Sequence, residues 1–94
     1  MKPGEEIIKQ GLADLEQGLE TIPSLLVSIG SPRLRRAGVL ITSPTFKDPE
    51  NRLYALLQIE HDDNAHSQYN PWLRKLVSYE RALESEKSAR SKSH

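Results

Sequence analysis

The chain has 94 residues, enough for one domain with a modest core and too few for two. Hydrophobic residues make up 36% and aromatics 5%, so the core must be mainly leucine and isoleucine, and the lack of cysteine excludes disulfides, thiolate metal sites and thiol nucleophiles. The formal charge is zero but comes in blocks: residues 1–21 and 47–70 are acidic, residues 22–46 hold only Arg33, Arg35 and Arg36, and residues 71–94 are basic. This pattern suits segments lying side by side and lacks the net positive charge usual in a dedicated DNA binder.

The opening MKPGEEIIKQ carries no apolar leader, and no apolar run approaches the roughly 18 residues of a membrane span, so a cytoplasmic protein is expected. Pro3, Glu5 and Glu6 are good start signals for a first helix. Along it Ile8, Leu12, Leu15, Leu19, Ile22, Leu26 and Ile29 recur at alternating steps of four and three, an apolar stripe in a seven-residue repeat. The stripe needs cover. Ile8, Leu12, Leu15, Leu19 and Ile22 are therefore the candidate interface of a homodimer. Gly11 and Gly18, each just before a stripe leucine, either admit a close neighbour or merely loosen the helix, and the second reading is the plainer. Pro23 interrupts the pattern; because the register survives it, a long first helix kinked at Pro23 and ended by Gly30 is expected.

Ser31-Pro32 reads as a cap followed by proline at a first helical position, opening a short basic segment stopped by Gly38. Helix, glycine turn and basic helix is the outline of a helix-turn-helix, but Leu26 and Arg36 fall where that motif prefers a small and an apolar residue. Val39–Thr42 is apolar and β-branched. Asp48-Pro49-Glu50 is another helix start, and the Leu, Ala, Gln and Glu content of residues 52–60 favours helix. Leu53, Ala55, Leu57 and Ile59 also alternate, so the alternative is an α+β chain with a hairpin over residues 38–60.

Residues 60–66, Glu-His-Asp-Asp-Asn-Ala-His, are the most chemical-looking run, with His61, Asp62 and His66 as weak metal candidates. Nothing elsewhere in the sequence completes a ligand shell, so no cofactor is expected. No Gly-x-Ser-x-Gly or glycine-rich phosphate loop occurs, and no enzyme is expected. Asn70-Pro71 marks the clearest late boundary. Pro71 then opens a last helix with Trp72, Leu73, Leu76, Val77 and Leu83 as apolar positions and fraying near Glu86, and residues 85–94 read as a disordered basic tail after a helical domain over residues 1–84. Trp72 and Tyr79, seven apart, share a helical face and suit a binding anchor if exposed.

These readings converge on an all-α bundle of about four helices acting as a small cytosolic dimeric adaptor or regulator. It would bind another protein through Arg33, Arg35, Arg36, Trp72 and Tyr79. The alternative is a nucleic-acid-binding regulator that uses the same arginines and the basic tail.

Overall fold

A computed structural model describes residues 4–61 and 64–92. The described residues form four helices and no strand: α1 (Glu5–Glu16), α2 (Ile22–Arg36), α3 (Pro49–His61) and α4 (Ala65–Lys92). The chain is thus an all-α bundle, with α2 at its centre packed against the other three helices and α3 packed also on α4. Ser24, Leu25, Leu26, Val27 and Ser28 are consecutive and all buried, so the first half of α2 is covered all round rather than along one stripe, while Gly30, Ser31 and Leu34 are its buried positions further on.

The first helix is not long and kinked. It stops at Glu16; Gly18 then adopts φ 72°, a left-handed conformation that glycine takes without Cβ strain, and its N–H donates to the Leu15 carbonyl at 3.0 Å. Thr21 restarts the chain. Its hydroxyl accepts from Ser24 N–H at 3.2 Å while Ser24 Oγ accepts from Thr21 N–H at 2.8 Å, a reciprocal cap. Thr21 also donates at 2.6 Å to the buried Asp14 carboxylate, which accepts from Gln10 as well, so the cap is tied back to α1. Pro23 falls in the first turn of α2, where no helical hydrogen bond is lost.

Gly30 and Ser31-Pro32 do not end a helix either; α2 continues through them to Arg36, with Ala37 as its cap. Continuity through Gly30 removes the turn that a helix-turn-helix would require. Pro71 likewise lies inside α4. An interior proline costs about 3 kcal/mol in an isolated helix. Here buried side chains stand on both sides of each proline, Ser28 and Leu34 around Pro32 and Ala65 and Leu76 around Pro71, and tertiary burial outweighs the local cost. The helical assignment of α4 reaches Lys92, past the fraying expected near Glu86.

Residues 52–60 are helical, and their burial follows a step of four: Leu53 and Leu57 are fully buried, whereas Ala55 and Ile59 are exposed. Residues 39–48 connect α2 to α3 without a partner strand, so the hairpin does not form. Val39, Ile41 and Phe46 pack onto the core, and Phe46 N–H donates to Ser28 Oγ at 3.2 Å. Leu40, between the inward residues, is 82% exposed.

The expected dimer stripe is in part core. Ile8 and Leu15 are buried inside the chain by its own helices, Leu12 and Ile22 are half-buried, and Leu19 lies in the α1–α2 connection. The cover that the stripe needs comes from α2, so burying it does not require a second copy. Gly11 is where the two helices meet, since a Cβ placed there would lie 2.5 Å from Val27 Cγ2. It admits a close neighbour and Gly18 makes the turn, so neither glycine is merely tolerated.

Candidate functional site

The five residues expected to bind a partner separate in the fold. Arg33 and Arg36 lie three apart and share one side of α2, whereas Arg35 turns the other way, its Nη2 donating to the Ile41 carbonyl at 3.5 Å. Tyr79 is only 8% exposed and belongs to the core; the start of α1 lies over it, the Cβ direction of Gly4 ending 3.5 Å from Tyr79 Cβ. It is not an exposed anchor. Trp72 is half-buried, with the Lys75 ammonium 4.5 Å from its ring centroid.

Arg33 and Arg36 instead frame a different surface, the trough between α2 and α4. Its floor is Ile29, Gly30, Leu73, Leu76 and Val77, and its volume is about 460 Å³. A second trough of about 440 Å³ lies along α4 itself, lined by Asn70, Leu73, Arg74, Val77, Ser78 and Arg81. The two share Leu73 and Val77, which therefore form a ridge with an open groove on either side. Leu73, Val77 and Arg81 are successive members of one i, i+4 row, the kind of ridge that packs into the groove of another helix.

The sequence offers Leu73 and Val77 only as apolar positions of the last helix and does not mark Arg74 or Arg81 for binding. The spacing of Leu73, Val77 and Arg81 was a usable signal. What it lacked was the depth of α4 in the bundle. Leu76, one residue away, is buried, and Leu73 and Val77 are left half-covered.

Glu80 is the unexpected member. Its carboxylate is buried, 4% exposed as a residue, and lies against the backbone of Gly30, where a Cβ would stand 2.7 Å from Oε2. Arg33 Nη1 approaches Oε1 to 3.7 Å from the solvent side. Burial pushes the Glu80 carboxyl above its ordinary value of 4.5; Arg33 pulls it down and Glu84 pushes it up again. A carboxylate raised in the folded state binds its proton more tightly there than in the unfolded chain. The resulting stability is complete below the ordinary value and is lost as pH rises through the folded one. Measured by urea midpoint, E80Q should therefore gain on the wild type between about pH 4 and about pH 7. A difference that stays constant across that range would contradict the assignment.

No family model, curated protein or solved structure matches the chain. Its reading rests on its own residues.

Of the metal candidates, only His66 has a side chain among the described residues. His61 closes α3, His66 stands in the first turn of α4 with its side chain exposed, and Asp62 lies outside the described residues. Among the described residues, no three His, Asp or Glu side chains are placed to hold a metal ion, and no helix is long and apolar enough to cross a membrane.

Proposed function

We propose that the chain is a non-enzymatic protein-interaction module, an adaptor or regulator whose working surface is the face shared by α2 and α4. The observation that carries this reading is the half-covered Leu73–Val77 ridge with an open trough on each side. A small-molecule site encloses most of its ligand, whereas troughs open along their length suit a macromolecule. A nucleic-acid backbone would use Arg33, Arg36, Arg74 and Arg81 but would leave the apolar ridge between them without a role. A protein partner uses both, because binding surfaces commonly place apolar anchors inside a polar rim.

The test is photo-crosslinking in the cells that express the protein. One variant carries a photoreactive residue in place of Ser78, beside the ridge, and a control carries it in place of Gln58 on the exposed side of α3. Discrete protease-sensitive, nuclease-resistant adducts are expected from position 78 and not from position 58. Equal adducts from both positions, none from position 78, or nuclease-sensitive adducts would overturn the reading.

A further inference from the structure

The half-covered ridge raises the question of what covers it, and three properties of the face answer together. The first is length. From Asn70 to Arg81 the lining of α4 spans twelve residues, about 16 Å or three helical turns. The second is relief. Leu73 and Val77 stand as a ridge with an open groove on each side, and Ile29 lies in the floor of the groove towards α2. A ridge between parallel grooves is the shape that a helix surface accepts.

The third property is charge. The two troughs are lined by Arg33, Arg36, Arg74 and Arg81 and by one carboxylate, Glu80, which is buried and faces Arg33. Among the described residues no carboxylate reaches ion-pair distance of Arg74 or Arg81. A second copy docked on the same face would present the same excess of arginine back to it, since an isologous interface sets a patch against itself. A basic partner would meet the same repulsion, and like charges across an interface are costly.

Resting on the reading above, we propose that the partner element is an acidic amphipathic helix of about three turns, laid along the α2–α4 face with its apolar edge on Ile29, Leu73 and Val77 and its carboxylates towards Arg33, Arg74 and Arg81. The apolar contact supplies the affinity and the arginines select the sign of charge. Bidentate guanidinium–carboxylate pairs at the rim also fix the direction in which the helix lies.

The experiment uses the full chain and a set of synthetic fluorescent peptides of about 15 residues, read by anisotropy. The first has leucines on one helical face and glutamates beside them. The second has the same composition in scrambled order, and the third replaces every glutamate with lysine. Wild type should bind the first at least about tenfold more tightly than the other two and lose most of that affinity between about 50 and 500 mM salt. The double variant R74E/R81E changes only exposed side chains of α4. It should bind the acidic peptide at least about tenfold more weakly and take up the lysine peptide instead. Val77→Asp should weaken all three.

Equal binding of the three peptides, preference for the lysine peptide, or no binding at all would overturn the proposal. So would a short DNA duplex that outcompetes the acidic peptide, or light scattering that shows self-association covering the face. Crosslinking from position 78 separates the two levels. Protein adducts there with no acidic preference sink the helix alone, whereas no adducts sink the interaction module itself.

Discussion

Leu15→Lys unfolds the chain, whereas Leu19→Lys, four residues along the same apolar stripe, leaves it folded. Leu15 is 4% exposed within the cluster that also holds Ile8, Leu25 and Leu26. Lysine there loses the leucine burial, about 2–3 kcal/mol, and must also hold an ammonium without a buried partner, which costs several kcal/mol more. Together these match or exceed the stability of a domain of this size. Leu19 is 46% exposed and follows the Gly18 turn, so lysine there has water to reach. The expected result is no cooperative thermal transition for Leu15→Lys and a shift of at most a few degrees for Leu19→Lys. If both variants fold equally well, the stripe is an intermolecular seam after all, and light scattering of Leu19→Lys would show the loss of a dimer.

Gly11→Ala lowers stability by about 3 kcal/mol, although helix propensity alone predicts a gain of about 1 kcal/mol. The two effects have opposite signs, so the measurement decides between them. Gly11 sits mid-helix with ordinary helical geometry, and in an isolated α1 the methyl group would help. In the fold the added Cβ would stand 2.7 Å from the Pro23 carbonyl carbon and 2.5 Å from Val27 Cγ2. Pro23 contributes backbone in the first turn of α2, held by the Thr21–Ser24 cap, so it does not yield as a flexible side chain would. Alanine must push α1 away from α2 where the two backbones meet closely. A fall in melting temperature of about 10–20 °C is expected for a domain this small. A rise would mean that the two helices are not so closely apposed.

Both variants turn on the same distinction, as does the candidate site. Signals at the ends of helices were legible where the chemistry is local. Glu5 and Glu6 at the head of α1, Pro49 and Glu50 at the head of α3, and the left-handed Gly38 after α2 need only their neighbours in sequence. The α3 helix was legible too, because Leu53 and Leu57 stand four apart in a helix-forming context. Glycine and proline inside helices misled. Gly30 reads as a stop and Pro32 and Pro71 as starts, yet each is carried inside a helix by side chains buried before and after it. The sequence marks Arg33 and Arg36 as candidate partner residues but not the apolar ridge beside them, because Leu73 and Val77 look the same as Leu76 until α4 is set at its depth in the bundle.

By itself, the sequence determined that the chain is helical outside residues 38–60, that it carries no thiol chemistry, and that its apolar residues suffice for one small core. Composition and spacing act through neighbours a few residues away, and those properties need nothing more. Only the tertiary structure decided that residues 38–60 form no hairpin, which half of the stripe is core, that Gly11 is a contact rather than a weakness, that Tyr79 is covered while Leu73 and Val77 are only half-covered, and that Glu80 is buried beside Arg33. Burial is a property of how helices meet. It is set by close packing between residues far apart in the chain, which no local pattern encodes.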